Sequence, residues 1–331
     1  MQAAIRYSNR VLIPIFAERQ KWRSVLLKID MRKITLAILA LATAALFSCQ
    51  PAQKETQAKH VFLIGLDGMS SLGYNMAQMP TVKGLAADGA YTVKKRSVLP
   101  SASAINWAAM FMGVPTEIHG YTTWGSRTPE IPERFDNYKN GIFPTIFQLT
   151  RDAYPDSEIG VIYDWDGIKY LVDTLSLSHQ AQTPDADHVS MTKMAADYIK
   201  ESKPMLAAFI FDCPDGVGHS AGWQTPEYVE ELEKLDVCVK QIVDAIKEAG
   251  IYDESVIIVT SDHGGINTNH GGITLDEMEA PFVISGAGIR KGVCFDDYSM
   301  MQYDIASTIL KILDVKQPQI YVGRPVEPVF E

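Results

Sequence analysis

This 331-residue chain has few cysteines, fewer basic than acidic residues and no internal repeat. Of its 4 cysteines, Cys49 lies in the N-terminal region and the other 3 lie far along the chain, at Cys213, Cys238 and Cys294. These 3 can form at most one disulfide. Residues 1–48 hold 8 of the 30 Lys and Arg but 2 of the 40 Asp and Glu, so the rest of the chain carries a net charge of −16. Such an acidic body argues against a nucleic-acid polymer as a partner, because that binding depends on neutralising phosphates. The length and the lack of repeats fit one large α/β domain.

The N-terminal region is typical of an export signal. Met31-Arg32-Lys33 is a positively charged start, and the apolar run at 34–47 is too short to span a membrane comfortably. The run ends in Leu46-Phe47-Ser48-Cys49, which resembles the lipobox of bacterial lipoproteins, where the cysteine is lipidated and becomes the mature N-terminus. We therefore expect residues 31–48 to be a lipoprotein signal peptide. Cys49 would then anchor the exported protein to a membrane, on the periplasmic side or at the cell surface.

Residues 1–30 precede the expected signal, and we interpret them as an extension created by a mis-assigned start codon ahead of the true start at Met31. Two alternatives are an amphipathic extension at 11–29 and an apolar run that stays as an uncleaved anchor. Residues 49–59 are polar, contain proline and lack periodicity, which predicts a flexible tether. The folded domain is expected at 60–331.

Within that domain, short apolar runs rich in β-branched residues alternate with segments of helical periodicity. This alternation predicts an α/β fold with a mostly parallel central sheet between two helical layers and long loops at the rim of the sheet. Strands are predicted at 60–66, 91–98, 158–163, 205–212, 255–260 and 281–285. Helices are predicted near 80–88, 104–112, 144–151, 189–202, 226–249 and 303–313. The clearest helix follows Thr225-Pro226, a cap and a first-turn proline, and Gly250 ends it.

Carboxylate and imidazole side chains follow three of the predicted strands. Asp67 follows VFLIGL, and Asp215 and His219 follow FIF; Asp262 and His263 follow VIIVTS, with His270 shortly after. Because the carboxyl ends of strands in an open α/β sheet line one crevice, we expect these side chains to converge. Asp and His are suited to zinc or another divalent transition metal, whose local charge would also admit a small anionic ligand. The pattern predicts a metallohydrolase.

A serine at the start of a short apolar helix is the candidate nucleophile. In LPSASAINWAAMFMG, Ser103 opens the predicted helix, where helix amides and the positive end of the dipole stabilise an oxyanion or a phosphate. The alternative is that Ser101 or Ser103 is only an N-cap, which is the interpretation that the local sequence favours by itself.

Taken together and in this order, the motifs resemble the alkaline phosphatase superfamily, specifically its type I phosphodiesterase and nucleotide pyrophosphatase family. The resemblance spans residues 60 to 326. The PDxxGHxxG motif of that family matches 214–222, its SDHG motif matches 261–264, and its late HG pair matches His270 and Gly271. The segment from Asp304 to Pro325 resembles the closing helix and Gly-Arg-Pro segment of the family.

The resemblance implies an alkaline phosphatase-like catalytic domain with two divalent metal ions, for which the three histidines favour zinc. It places one ion on Asp215, His219 and His270, and the other on Asp67, Asp262, His263 and Ser103. It makes Ser103 the nucleophile that forms a covalent phosphoseryl intermediate and Asn106 a donor to a phosphate oxygen. Two such ions can together stabilise the attacking and leaving oxygens of a phosphoryl transfer.

The expected activity is that of a phosphodiesterase or nucleotide pyrophosphatase acting on a small phosphoester. The family commonly has Thr as its nucleophile and Pro before the Asn, whereas this chain has Ser103-Ala104-Ile105-Asn106, so phosphomonoester hydrolysis, phosphonate hydrolysis and transfer of a phospho-head-group stay open. A phosphomonoesterase would bring Arg or Lys to the dianion. We expect Lys94, Lys95 and Arg96 to face water at a strand edge instead.

Two further alternatives carry less weight. A sulfatase needs a Cys/Ser-x-Pro-x-Arg segment, and SASAINW has neither the Pro nor the Arg. A non-catalytic surface lipoprotein would be free to lose metal ligands, whereas all six Asp and His ligands are present.

Several residues are predicted to have no chemical role. We interpret Cys213 as a small buried side chain rather than a soft metal ligand. The histidines outside the motifs are interpreted as structural or surface residues: His60, His119, His179 and His188. Long loops at 113–142 and 164–188 are predicted to be functional. The aromatic residues in and around them are candidates for a pocket wall or for packing the loops: Trp107, Tyr121, Trp124, Tyr163, Trp165 and Trp223.

Overall fold

The computed structural model describes residues 58–132, 138–183 and 187–331. The expected signal peptide, Cys49 and most of the tether lie outside the described residues. In the described part of the chain, none of the helices combines the length and the apolar character that crossing a membrane requires.

The described strands form one mixed sheet in the order β4-β3-β5-β1-β6-β7-β2-β8. Their bounds are β1 His60–Leu66, β2 Ala90–Arg96, β3 Ile159–Tyr163, β4 His179–Gln182, β5 Leu206–Phe211, β6 Ser255–Thr260, β7 Glu279–Gly286 and β8 Val293–Cys294. All neighbours pair in parallel except β7, which runs antiparallel to both β6 and β2. The predicted, mostly parallel sheet is confirmed. The short edge strands β4 and β8 were not predicted, because neither has an apolar run.

Helices cover both faces of the sheet. Their bounds are α1 Ser71–Met76, α2 Pro80–Ala87, α3 Ser103–Met112, α4 Thr116–His119, α5 Ile146–Ala153, α6 His188–Ser202, α7 Asp215–Ala221, α8 Pro226–Glu248, α9 Leu275–Met278 and α10 Asp304–Ile312. The short helices α1, α4, α7 and α9 were not predicted, because segments of four to seven residues show too little periodicity.

Two apolar cores, one on each face, make the domain a three-layer sandwich. One core joins the sheet to α3, α5 and α10, and the other joins it to α2, α6 and α8. Helix α8 begins as the sequence predicts: the Thr225 side chain accepts a hydrogen bond from the Tyr228 amide, and Pro226 takes the first helical position. On its flank, the buried Asp236 carboxylate accepts the amides of Thr81 and Val82 and so caps the start of α2.

Three neighbouring strands in the middle of the sheet position the site. β1 lies between β5 and β6, with Leu66 paired to Phe211 and Gly65 to Thr260. The residues just beyond these strand ends therefore emerge side by side at one edge of the sheet. The turn after β1 passes close to α7, where Gly68 has a φ of +73° and a Cβ atom would lie 2.9 Å from the Asp215 Cα. A glycine is needed there for both reasons.

The prediction that Lys95 faces water is wrong. Lys95 is fully buried, and its ammonium donates to the Ser261 carbonyl at 2.5 Å and to the Gln302 side-chain oxygen. The edge of β2 is covered here, because the amide of Arg96 donates to Met300 and the amide of Gln302 donates back to Arg96. This covering segment comes from about 200 residues further along the chain, so local sequence does not reveal it.

Candidate active site

The six predicted Asp and His ligands form two groups at the carboxyl edge of the central strands. Asp215, His219 and His270 make one group, and Asp67, Asp262 and His263 make the other; within each, the candidate ligand atoms lie within 4.8 Å of one another. The division into two groups is the one that the sequence predicts. The rings of His263 and His270 stack with centroids 3.9 Å apart, so the two groups adjoin.

Each group contains a buried carboxylate oxygen without a hydrogen-bond partner in the described part of the chain, namely Asp67 Oδ1 and Asp262 Oδ2 in one and Asp215 Oδ1 in the other. These atoms face imidazole nitrogens. His263 Nε2 lies 3.5 Å from Asp67 Oδ1 and 3.2 Å from Asp262 Oδ2, and His270 Nε2 lies 3.6 Å from Asp215 Oδ1. Buried polar atoms normally have partners, so these oxygens fit metal ligands.

Contacts with backbone carbonyls indicate which ring nitrogen of each histidine carries the proton. Nδ1 lies 3.0 Å from Thr268 O in His219, 2.8 Å from Gly264 O in His263 and 3.0 Å from Ser101 O in His270. A carbonyl can only accept, so Nδ1 of each ring carries the proton and Nε2 offers its lone pair. This tautomer, with Nε2 directed to the carboxylates, is the one that a metal ligand needs.

The two carboxylates of the Asp67 group are held by fixed donors. The indole of Trp107 donates to Asp67 Oδ2 at 2.9 Å, and the Gly68 amide donates to Asp262 Oδ1 at 3.1 Å. Trp107 can lie this close to β1 because Gly65 has no side chain; a Cβ there would approach the indole to 2.4 Å. Sequence analysis treated Trp107 as a pocket or packing residue, and its function as the positioning donor of Asp67 was missed.

The electrostatics of the site favour bound cations. Burial, together with the neighbouring carboxylates, raises the pKa of Asp67 well above its usual range and that of Asp215 to about 8. Burial raises the pKa of Asp262 to about 6 and lowers the pKa of His263 to about 3 and of His270 to about 4. The imidazoles of His263 and His270 are therefore neutral and cannot balance the carboxylates. The donor set thus fits two divalent ions, which would supply the missing positive charge.

Ser103 lies at the junction of these groups. It is the first residue of α3, and its Oγ lies 3.3 Å from His263 Nε2. The N-cap of α3 is Ala102, which provides no side-chain bond, so Ser103 is not a capping residue. Its hydroxyl is free to act at the positive end of the helix, as the nucleophile hypothesis requires.

The structure does not support the predicted function of Asn106 as a donor to a phosphate oxygen. Asn106 is fully buried; its Oδ1 accepts the Val98 amide, and its Nδ2 donates to backbone carbonyls of Val98, Pro100 and Ala102 at 3.0–3.3 Å. Both amide hydrogens are directed at the backbone. Asn106 therefore holds the 98–102 segment in the shape that presents Ser103.

A cavity of about 610 Å³ opens in front of Ser103 and the Asp215 group, within the size range of small-molecule sites. The residues that line it are Pro100, Ala102, Ser103, Ile105, Thr122, Thr123, Trp124, Trp165, Asp212, Asp215, His219, Asn269, His270 and Gly271. Of the candidate aromatic residues, Trp124 and Trp165 line the cavity. Trp223 instead meets the ring of His219 edge-on, with centroids 5.2 Å apart, and its indole donates to Gly68 O.

Asp212 is a cavity residue that sequence analysis did not select. It follows β5 directly, and burial raises its pKa to about 6. Its backbone amide donates to the Asp164 carboxylate at 2.5 Å. The signal that could have found it is its position directly after the apolar run of β5, where Asp67 stands after β1.

The mixed sheet between two helical layers, with two groups of candidate metal ligands and a serine at a helix start, is an alkaline phosphatase-like fold. The model of the family "type I phosphodiesterase/nucleotide pyrophosphatase" matches residues 61–283. The chain therefore belongs to this family, as the sequence motifs predict.

Two curated proteins are similar to this chain over part of their length. The human "ectonucleotide pyrophosphatase/phosphodiesterase family member 1" is 22% identical over 195 residues, which is 56% of this chain and 21% of that protein. The Schizosaccharomyces pombe "GPI ethanolamine phosphate transferase 3" is 32% identical over 133 residues, 38% of this chain and 14% of that protein. This chain thus spans about a fifth or less of the length of these two relatives.

Among solved structures, murine ectonucleotide pyrophosphatase/phosphodiesterase 5, in an inactive form in complex with AMP, superposes with a TM-score of 0.69 at 14% identity. The superposition covers 82% of this chain and 100% of that one. At this identity the similarity establishes the shared fold.

Proposed function

We propose that this protein is a two-metal phosphoester hydrolase that uses Ser103 as its nucleophile and prefers diesters or pyrophosphates to monoesters. The observation that supports it most is the position of the Ser103 hydroxyl, 3.3 Å from His263 between the two ligand groups and open to the cavity. The family to which the chain belongs is one of phosphoester hydrolases.

In the proposed reaction, Ser103 Oγ attacks phosphorus, the bond to the leaving oxygen breaks, and a phosphoseryl enzyme forms that water hydrolyses in a second step. Helix α3 directs its first-turn amides and dipole at the developing charge. Asp67, Asp262 and His263 would hold one ion, and Asp215, His219 and His270 the other. When bound, two such ions lower the pKa of a coordinated hydroxyl and neutralise charge on phosphate.

The diester preference rests on the charges in the cavity. None of the residues that line it is Lys or Arg, whereas Asp212 and Asp215 both contribute carboxylates. A phosphomonoester dianion would find no cationic side chain in this lining, and a diester carries one negative charge less. Trp124 and Trp165 offer aromatic faces to the group esterified to the phosphate, and a nucleotide is one group that would fit them.

The decisive experiment compares p-nitrophenyl phosphate, bis-p-nitrophenyl phosphate, the p-nitrophenyl ester of thymidine monophosphate and p-nitrophenyl sulfate, with and without a chelator. We expect diesters to be hydrolysed at least about tenfold faster than the monoester, corresponding to about 1.4 kcal/mol of transition-state energy, and the chelator to abolish turnover. Ser103→Ala should lower kcat at least about 10³-fold while metals stay bound. The exposed Ser220 on α7 provides a matched control, and Ser220→Ala should keep the wild-type rate.

Each contrary result overturns a different part of this proposal. Monoester preference would contradict the charge argument and leave the mechanism intact. Normal turnover by Ser103→Ala would exclude the nucleophile. Inactivity on every substrate would favour a binding protein that retains only the fold.

We further propose zinc as the metal and a lipid anchor at Cys49. Zinc is supported by the three histidine nitrogens in the two ligand groups, a borderline donor set that calcium and magnesium do not favour. The anchor is supported by the apolar run and the Leu46–Cys49 segment. Cys49→Ala should move the protein from the membrane to the soluble fraction and abolish labelling by a radioactive fatty acid. Membrane retention without labelling would indicate an uncleaved apolar anchor instead.

A further inference from the structure

A second cluster of metal-binding side chains lies beside the active site and has no part in the proposed reaction. It joins His188 at the start of α6, Cys213 after β5 and Glu231 on α8. Their candidate ligand atoms, a ring nitrogen, Sγ and a carboxylate oxygen, all lie within 4.8 Å of one another. This spacing is as tight as that of the two groups that contain the family motifs. Sequence analysis assigned no chemistry to His188 or Cys213, because they are 25 residues apart and neither lies in a motif.

The three side chains are buried or partly buried, and their candidate ligand atoms lie close together. His188 Nε2 lies 2.9 Å from Glu231 Oε1, while the other Glu231 oxygen lies 3.4 Å from the Lys234 ammonium. Cys213 is buried, and its thiol is not in a disulfide. The His188 side chain is 21% exposed, which leaves the cluster accessible from solvent.

The far side of the His188 ring provides an independent observation. The Asp164 side chain is completely buried, and its Oδ2 lies 4.0 Å from His188 Nδ1. Neither of these two atoms has a hydrogen-bond partner in the described part of the chain. The other Asp164 oxygen accepts the Asp212 amide, so the carboxylate is fixed in place behind the ring.

A cation at Nε2 would resolve this arrangement. A neutral His188 that keeps its proton on Nε2, facing Glu231, turns the lone pair of Nδ1 towards Asp164 Oδ2, which is repulsive when Asp164 is ionised. When a metal ion replaces the proton at Nε2, the proton occupies Nδ1 and faces Asp164 Oδ2, which lies 4.0 Å away. A carboxylate behind the ring is the usual partner of a metal-bound histidine.

From this geometry we propose that His188, Cys213 and Glu231 bind a third divalent ion, zinc or a similar borderline metal, with Asp164 orienting the histidine. Sulfur, nitrogen and oxygen donors together suit zinc and exclude calcium and magnesium. The ion would connect α6 and α8 to the segment that carries Asp212 and Asp215, and so would brace one wall of the active-site cavity. The site is separate from the two groups that the reaction uses.

Sulfur distinguishes this site from the other two, whose predicted ligands are all nitrogen and oxygen. The test is to load the full-length protein with Co²⁺ and record its absorption spectrum and bound metal. We expect a thiolate-to-cobalt charge-transfer band in the near ultraviolet and three ions per chain. Cys213→Ser and Cys213→Ala should both abolish the band, and Cys213→Ala should bind one ion fewer.

The other cysteines provide matched controls, and variants of Glu231 and His188 test the other two proposed ligands. Cys49→Ala, Cys238→Ala and Cys294→Ala remove the other thiols and should keep both the band and the third ion. Glu231→Gln and His188→Ala should weaken cobalt binding at the sulfur site while circular dichroism shows a folded protein. A saturated wild-type protein without a sulfur band, or a band that survives Cys213→Ala, would overturn the proposal. The band reports the ion without any need for turnover, so its outcome is independent of the proposed hydrolysis.

Discussion

Trp107→Phe should weaken metal binding at the Asp67 group without abolishing the fold. The fully buried Trp107 indole donates a side-chain hydrogen bond to Asp67 Oδ2, at 2.9 Å, and its ring stacks on Phe111 with centroids 6.2 Å apart. Phenylalanine keeps an aromatic ring in the same place and removes the donor. The carboxylate of Asp67 then loses its fixed orientation towards His263.

The size of the expected loss in metal affinity follows from the hydrogen bond that Trp107→Phe removes. A hydrogen bond to a charged group contributes about 1.5–3 kcal/mol, and loss of a residue that orients a metal ligand typically lowers metal affinity about 10–100-fold. A 10–100-fold change corresponds to about 1.4–2.7 kcal/mol, so the two figures agree. We therefore expect the dissociation constant of one ion to rise about 10–100-fold, while the ion at the Asp215 group binds as before.

Competition with a chromophoric zinc chelator measures both dissociation constants, and the zinc dependence of turnover provides a second readout. Tyr228→Phe is the matched control, because the Tyr228 hydroxyl is also buried beside the site but bonds to Gly68 O and the Ser70 amide rather than to a ligand. It should lower thermal stability and leave zinc affinity unchanged. If Trp107→Phe binds both ions as tightly as the wild type, packing and not the indole hydrogen bond positions Asp67, and the reasoning is refuted.

Two further predictions concern residues whose functions differ from expectation. Asn106→Ala should destabilise the fold by about 2–4 kcal/mol, because buried backbone groups at 98–102 lose their partners; a thermal melt checks this, and an unchanged melt with a raised KM would restore the phosphate-donor hypothesis. Burial lowers the pKa of Lys95 from 10.5 to about 7, so above pH 7 the folded protein has released a proton that the unfolded chain keeps. The stability of the wild type relative to Lys95→Met should therefore rise with pH between 7 and 9, by up to about 1.4 kcal/mol per unit. Urea unfolding at several pH values measures this stability difference, and Lys94→Met is the exposed control. A difference that stays flat between pH 7 and 9 would contradict the lowered pKa of Lys95.

Local sequence predicts the sheet and the Asp and His side chains that gather at its edge. Apolar runs mark the strands, and parallel strands in an open sheet expose their carboxyl ends at one edge, so Asp67, Asp215 and Asp262 could be placed together without coordinates. The pairing of Leu66 with Phe211 and Gly65 with Thr260 confirms that inference. Such predictions succeed because they need only local periodicity and one rule of topology.

Only the tertiary structure shows which side chains surround these Asp and His residues. Trp107 reaches Asp67 across 40 residues, Lys95 is buried under a segment more than 200 residues away, and Asn106 turns to the backbone rather than to the cavity. The cluster of His188, Cys213 and Glu231 likewise unites a helix start, a strand end and a helix face. Each of these contacts depends on which loop covers which edge of the sheet. Packing over the whole domain sets which segment covers which edge. The neighbouring residues in the sequence do not reveal it.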